Sequence, residues 1–182
     1  MNKAIELIIR FRSTIGTACL TAILIIATPN ARSISIGFFL TVLGMFFRGW
    51  SSGYINKNEQ LACQGPYALT RNPLYFGSFL IGSGIAVAAN NLPSTIIFIA
   101  YFLLFFPILI FVERKRMKSL FPEQYTQLAR TSNLFIPKLK RIDSRNFNIA
   151  FYFKNKEYRV LYFSLIVIAV LIIKYLIQIG NI

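Results

Sequence analysis

Five long apolar blocks, separated by polar segments, leave this chain few possible architectures. The blocks cover Ser13–Thr28, Ser33–Trp50, Pro73–Ala89, Leu92–Val112 and Val160–Ile179. A helix needs about 20 apolar residues to cross a lipid bilayer, within a range of about 17–25. Hydrophobic residues make up 55% of the 182 residues, which is more than a soluble domain of this length can bury. The pattern therefore predicts an all-α, polytopic integral membrane protein with about five transmembrane helices.

Basic residues are distributed unevenly around these blocks. Lys3, Arg10 and Arg12 precede the first block, and most of the other Lys and Arg residues lie in the connection between the fourth and fifth blocks. By the positive-inside rule, we expect the N-terminus, the second connection and the long fourth connection to be cytoplasmic, in a bacterial inner membrane. A signal peptide is the alternative interpretation of the first block, because basic residues precede a short apolar run.

The net charge of +14 fits the same interpretation. Basic residues beside membrane spans set topology and attract anionic lipid head groups, so membrane lipids are the expected partners. We expect no nucleic-acid partner, because these residues form no nucleic-acid-binding module.

The residue types that carry most enzyme chemistry are scarce. The chain has no His, which removes the commonest metal ligand and the commonest general base. Cys19 and Cys63 fall in different regions and are not expected to form a disulfide. No cluster has metal-ligand spacing and no Gly-rich phosphate loop is present, so we expect neither a metal site nor a P-loop.

Polar residues concentrate at the start of the third block, in the stretch GPYALTRNPLYFG. Asn72-Pro73 predicts a helix start, because Asn is a good N-cap residue and Pro suits the first helical position. A purely structural interpretation makes Arg71 a head-group anchor, with Tyr67 and Tyr75 as interfacial aromatic residues.

A second polar segment, Val112–Pro137, continues from the fourth block. Apolar residues at helical spacing predict amphipathic helices along the membrane interface: Met117, Leu120, Phe121, Tyr125 and Leu128. Glu113 lies at the membrane boundary beside basic residues. Its structural interpretation is an ion pair with Lys115 or Arg116.

The two polar segments together resemble the isoprenylcysteine carboxyl methyltransferase and phospholipid methyltransferase superfamily. GPYALTRNPLYFG is followed by E-R-x-x-M-x-x-x-F-P-x-x-Y, and the resemblance covers about residues 40–137. It implies one membrane methyltransferase-like domain over residues 1–182, with residues 160–179 as an additional C-terminal helix. The implied activity moves a methyl group from S-adenosylmethionine to a lipophilic or small acceptor.

The resemblance also implies which residues form the site. The cofactor is expected in a cytoplasmic pocket formed by Glu59, Gln60, Leu61, Ala62, Tyr67, Asn72, Pro73, Leu74, Tyr75 and Glu113. The residues expected to be catalytic are Arg71, Tyr75 and Glu113. An amine or thiol acceptor must lose a proton. In a chain without His, the possible acceptors of that proton are Glu113, Tyr67, Tyr75 or bulk water.

Several positions depart from the superfamily pattern. Asn72 stands where His is frequent, Arg114 replaces a second Glu, Met117 replaces a Leu and Pro122 replaces a Gly. Leu109 occupies the place of the Arg that contacts the substrate carboxylate in the isoprenylcysteine enzymes. We therefore expect poor activity on prenylcysteine carboxylates, and the acceptor remains open.

Two other functions are compatible with these motifs. Sterol-reductase-type membrane enzymes carry related motifs and use NADPH, although they are usually much longer. A non-catalytic membrane scaffold would keep the motif only as architecture. Binding measurements with both cofactors separate the three functions.

Overall fold

A computed structural model describes residues 3–56, 59–138 and 146–180. The described residues form helices joined by short connections, and their one pairing of extended backbone is an isolated parallel bridge between Thr70 and Asn133. The helices are α1 (Lys3–Ile26), α2 (Ala31–Ser52), α3 (Pro66–Leu69), α4 (Pro73–Ala89), α5 (Leu92–Leu120), α6 (Pro122–Thr131), α7 (Ile149–Lys154) and α8 (Tyr158–Gly180). The all-α prediction is confirmed.

The predicted spans correspond to five of these helices. Four of them, α1, α2, α5 and α8, are long and apolar enough to cross a membrane, and α4 is a shorter apolar helix. Helix α1 begins at Lys3, well before the first apolar block. Helix α5 extends beyond Val112 because Glu, Arg, Lys and Met all favour helix. It ends at Leu120, since Pro122 cannot continue a helix but can begin one, as it does in α6.

The chain divides into two compact units. The first comprises Met1–Val42, Phe79–Leu109 and Phe163–Ile182. In this unit α2 and α4 approach closely at glycine: a Cβ added to Gly37 would lie 2.4 Å from the carbonyl oxygen of Gly84. Close backbone approach at small residues is a common way for membrane helices to associate, because lipid provides little hydrophobic driving force between them.

Lys174 holds α8 to α1 in the first unit. Its ammonium group donates hydrogen bonds to the carbonyl oxygens of Leu24 and Ile25, at 3.0 and 2.6 Å. These carbonyls lie in the last turn of α1, where helix geometry leaves them without a partner and where the helix dipole is negative. A cation in an apolar helix is thereby paired.

The connection between α4 and α5 is a tight turn at Asn90-Asn91. Asn90 has a φ of +56°, a left-handed conformation that Asn tolerates better than most residues. The side-chain oxygen of Asn91 accepts a 2.8 Å hydrogen bond from the backbone N–H of Ser94, which caps α5.

The second unit comprises Leu43–Ser78 and Ile110–Tyr162, and it contains all the residues predicted to form the site. Its helix α6 buries Tyr125 and Leu128, so the predicted amphipathic face is confirmed. The segment after α6 runs beside the start of α4, because the Thr70 hydroxyl donates to the carbonyl of Phe135 at 2.9 Å and the backbone N–H of Lys138 donates to Leu69 at 3.0 Å. Part of the long connection, residues 139–145, lies outside the described residues.

Candidate functional site

Glycine at position 65 permits the turn that leads into the site. Gly65 has a φ of +56°, and an added Cβ would lie 2.5 Å from the ring of Tyr54. Both observations require glycine there, because other residues resist this backbone conformation and no space exists for a side chain. Pro66 then begins the short helix α3, which carries Tyr67.

Asn72 joins the start of α4 to the segment that follows α6. The backbone carbonyl of Asn72 accepts a 3.0 Å hydrogen bond from the N–H of Phe76, so α4 begins where the sequence predicted. The buried side-chain amide, however, donates to the carbonyl of Leu134 at 2.8 Å rather than capping the first turn of α4. Asn72 therefore acts as a tether between two segments that are 62 residues apart.

Arg71 makes a parallel attachment to the same segment. Its backbone N–H donates to the carbonyl of Asn133 at 2.9 Å, and its Nε atom lies 3.4 Å from the same oxygen. The guanidinium carbon lies 5.9 Å from the centre of the Tyr125 ring, within cation–π range. These contacts give Arg71 an anchoring role, and its predicted catalytic role stays a prediction.

Tyr67 lies where the two predicted motifs meet. Burial raises the pKa of its phenol far above the ordinary value, although part of the residue remains accessible. The negative charge of Glu113 raises this pKa further, and Glu157 and Tyr75 also contribute. Tyr67, Tyr75 and Glu113 are therefore close enough to interact electrostatically, as expected if α4 and α5 bring their motif ends together.

Glu113 lies within α5 and is half-buried. Across residues 3–56, 59–138 and 146–180, its carboxylate forms no hydrogen bond and no ion pair, so the pairing with Lys115 or Arg116 that we considered from sequence is not observed. A carboxylate in such surroundings can accept hydrogen bonds from a cationic ligand.

The segment Glu59–Ala62, which precedes the first motif, is more exposed than the start of α4. Glu59 and Gln60 are exposed, whereas Leu61 and Ala62 are half-buried. The Glu59 carboxylate accepts from the side chain of Asn56 and lies 3.9 Å from the ammonium of Lys154. The predicted role of this segment in cofactor binding remains a prediction.

The two motif residues after Asn72 support the beginning of α4. Pro73 is fully buried at the first position of the helix, and Leu74 is half-buried. The carbonyl of Leu74 accepts a hydrogen bond from Arg48, which brings a further charged residue to the site.

Sequence reasoning missed the ion pair that Arg48 forms in this unit. Arg48 Nε lies 2.5 Å from Glu157 Oε1, and its Nη1 atom donates to the Ser78 hydroxyl at 2.5 Å and to the Leu74 carbonyl at 3.4 Å. Glu157 is buried, with 7% of its surface exposed. In the sequence, Glu157 stands out only as a single Glu among the basic residues that precede α8. Its partner, Arg48, lies 109 residues away.

An open groove of about 750 Å³ lies elsewhere, on α1. It is lined by Ser13, Thr14, Thr17, Ala18, Thr21, Ala22 and Ile25, and by none of the predicted site residues. The Thr17 and Thr21 hydroxyls donate to backbone carbonyls of their own helix, at 3.0 and 2.9 Å. This groove therefore offers little polar chemistry.

A comparison with protein families covers most of the region that contains the two motifs. The model of the phospholipid methyltransferase family matches residues 11–124, which is more than half of the chain. The chain belongs to this family. The match confirms the resemblance and includes Arg48, Tyr67, Asn72, Tyr75 and Glu113, but it ends before Leu134 and Glu157.

Two curated relatives are similar to this phospholipid methyltransferase family member. The cobalt-zinc-cadmium resistance protein CzcN of Cupriavidus metallidurans is 32% identical over 108 residues, covering 58% of this chain and 50% of the relative. The nickel-cobalt-cadmium resistance protein NccN of Alcaligenes xylosoxydans xylosoxydans is 27% identical over 119 residues, covering 64% of this chain and 55% of the relative. The chain thus spans about half the length of the curated relatives it matches. No solved structure matches.

Metal ligands do not cluster in the part of the chain that the structure describes. No group of three or more His, Cys, Asp or Glu residues able to hold a metal ion occurs there. Cys19 and Cys63 are both free thiols.

Proposed function

We propose that this protein is an integral membrane methyltransferase that moves a methyl group from S-adenosylmethionine to a lipophilic or small acceptor. The observation that carries the proposal is that the charge of Glu113 in the second motif acts on the phenol of Tyr67 in the first motif, as does Tyr75. Family membership supports methyl transfer, and the apolar helices support a membrane location.

The residues at this site fit the proposed cofactor. Three charged side chains act on the Tyr67 hydroxyl, namely Arg48, Glu113 and Glu157, and together they carry one net negative charge. S-adenosylmethionine carries a net positive charge from its sulfonium, while its ammonium and carboxylate cancel.

S-adenosylmethionine, when bound, supplies an electrophilic methyl group. The protein's tasks are then to bind, to orient and to exclude water, because in-line displacement at a methyl group requires no metal. Glu113 offers cationic groups a carboxylate that has no partner among the described residues. Arg71 and Asn72 hold the start of α4 in place through Asn133 and Leu134.

Proton handling follows from the Tyr67 environment. A tyrosine phenol is already neutral near pH 7, and burial and the charge of Glu113 raise the pKa of Tyr67 further, so its hydroxyl keeps its proton and can donate a hydrogen bond. This makes Tyr67 a poor base, and leaves Glu113, Tyr75 or bulk water to accept a proton from an amine or thiol. A carboxylate acceptor would need no base.

The proposed arrangement places this site on the cytoplasmic side of a bacterial inner membrane. The support is the excess of Lys and Arg in the polar connections of the second unit. A lipophilic acceptor would approach from the bilayer and a charged cofactor from the cytoplasm.

The decisive experiment is transfer of a labelled methyl group from S-adenosylmethionine into a membrane extract by the purified protein, followed by identification of the product. We expect one labelled product class, and calorimetry should show binding of S-adenosylmethionine and none of NADPH. Absence of both cofactor binding and transfer would end the enzyme proposal and favour a scaffold.

A further inference from the structure

Arg48 is packed into the second unit and does not lie at a free surface. Its stem passes Gly77 of α4, where an added Cβ would lie 2.6 Å from Arg48 Cγ and 2.8 Å from the Gly44 carbonyl oxygen. Gly77, the last residue of the motif GPYALTRNPLYFG, thus makes room for Arg48. Only 19% of the Arg48 side chain is exposed.

The contacts of Arg48 leave part of its guanidinium unused. Nε is paired with Glu157, and Nη1 is occupied by Ser78 and the Leu74 carbonyl. The Nη2 nitrogen has no partner among the described residues. A guanidinium edge with free N–H donors is suited to a carboxylate or phosphate oxygen.

Charges of opposite sign act on one hydroxyl group. Glu113 and Arg48 both interact electrostatically with Tyr67, and their effects on its phenol oppose each other. A ligand group that carries an ammonium and a carboxylate side by side matches this pair. The amino-acid part of S-adenosylmethionine is such a group.

We propose that Arg48 is a cofactor-binding residue that takes the carboxylate of S-adenosylmethionine through its free Nη2 edge, while Glu113 takes the ammonium. The proposal rests on the proposed function and names a contact that neither motif contains.

Glu157 is a positioning residue in this arrangement. It is buried, it holds Nε of Arg48, and it lies directly before the C-terminal helix α8, beyond the residues that the family model matches. The connection that leads into α8 would therefore contribute to the site by fixing the guanidinium rather than by touching the cofactor.

The test compares two ligands that differ by one group: S-adenosylmethionine and its decarboxylated form. Calorimetry on the full chain in nanodiscs should show that the wild type prefers S-adenosylmethionine by about ten- to a hundredfold, the range for one charge-assisted contact. Arg48→Gln should bring the ratio of the two affinities close to one. Arg130→Gln, a change at an exposed arginine in the same unit, should leave the ratio unchanged.

A second variant guards against misfolding. Arg48→Gln leaves Glu157 buried without its cation, which is costly, whereas Arg48→Gln with Glu157→Gln removes both charges. The double variant should fold and still show a ratio near one. If either folded variant keeps the wild-type preference, Arg48 does not bind the carboxylate.

A lipid phosphate is the other group whose anionic oxygen could bind Arg48, and the lipid composition of the nanodisc tests for it. Arg48→Gln could change the binding of phosphatidylglycerol relative to phosphatidylcholine while the ratio of the two cofactor affinities stays at its wild-type value. In that case Arg48 binds a lipid phosphate and this proposal is wrong. If the wild type binds S-adenosylmethionine but does not distinguish it from the decarboxylated form, only this inference fails. If it binds neither, the proposed function fails too.

Discussion

Single residues at this site differ in the kind of change that they tolerate. Glu113 is half-buried and forms no described hydrogen bond, so its charge can be removed without breaking a protein contact. Asn72 is buried and hydrogen-bonded to Leu134, so its removal leaves that carbonyl oxygen with only the longer contact from the Thr70 hydroxyl, at 3.3 Å. The two residues therefore allow binding and stability to be tested separately.

Glu113→Gln should weaken binding of S-adenosylmethionine by about ten- to a hundredfold, because a charge-assisted hydrogen bond contributes about 1.5–3 kcal/mol. The melting temperature should stay close to that of the wild type. Glu123→Gln, at an exposed position in the first turn of α6, is the matched control and should bind like the wild type. Equal affinities for Glu113→Gln and wild type would show that Glu113 is only a polar surface residue.

Asn72→Ala should lower the free energy of unfolding by about 0.5–1.5 kcal/mol, the net contribution of one typical hydrogen bond, because the Leu134 carbonyl keeps the Thr70 hydroxyl as a donor. It should also weaken cofactor binding, since the start of α4 loses its tether to Leu134. Thermal unfolding in detergent measures the first effect and calorimetry the second. Asn133→Ala is the control, because Asn133 contacts Arg71 through its backbone carbonyl, which the change keeps. A variant at Asn72 with unchanged stability would mean that the Leu134 contact contributes nothing.

At the scale of elements, the packing of α4 on α2 depends on glycine in both units. Gly84 approaches Gly37 in the first unit, and Gly77 approaches Gly44 and Arg48 in the second. The same feature that lets the helices pack thus gives Arg48 its position. Packing and site geometry are coupled through one helix.

Gly77→Ala should destabilise the protein by about 1–3 kcal/mol, the usual cost of inserting a methyl group into a tightly packed contact. It should also weaken cofactor binding, because the added Cβ displaces Arg48. Gly180→Ala is the matched control, since a Cβ there meets no atom within 4 Å. Unfolding curves and calorimetry on both variants check this expectation. A Gly77→Ala protein at least as stable as the Gly180→Ala protein would contradict the close contact.

At the scale of the whole molecule, the open question is the direction in which the helices cross the membrane. The basic residues predict that the long connection is cytoplasmic and the C-terminus is outside, but Ser144 and Asn181, which mark these two regions, lie outside the described residues. Gln124 in α6 and Leu92 at the start of α5 are exposed and described. Leu92 begins the fourth predicted span, and Gln124 follows its other end in the chain.

Gln124→Cys and Leu92→Cys should be labelled from opposite sides of the membrane. The background should replace Cys19 and Cys63, which are the chain's two native thiols. A membrane-impermeant maleimide added to intact cells, and then to inverted vesicles, measures the sidedness. We expect Gln124→Cys to react only in inverted vesicles. Labelling of both positions from one side would overturn the topology.

The amino-acid sequence by itself determined the local features of this protein. Apolar blocks of membrane length gave the spans, Asn72-Pro73 marked the start of α4, and the spacing of Tyr125 and Leu128 revealed the buried face of α6. The two motifs identified the family and placed Tyr67 and Glu113 among the candidate residues. These properties depend on helix geometry, proline chemistry and residue type, all of which act within a few residues.

Only the tertiary structure decided which distant groups meet. Arg48 pairs with Glu157 across 109 residues, and Asn72 donates to Leu134 across 62. No periodicity relates such positions, because their distance depends on how whole helices pack. That packing depends on close approaches such as the one at Gly77. There the absence of a side chain lets the helices come together and so decides which groups become neighbours.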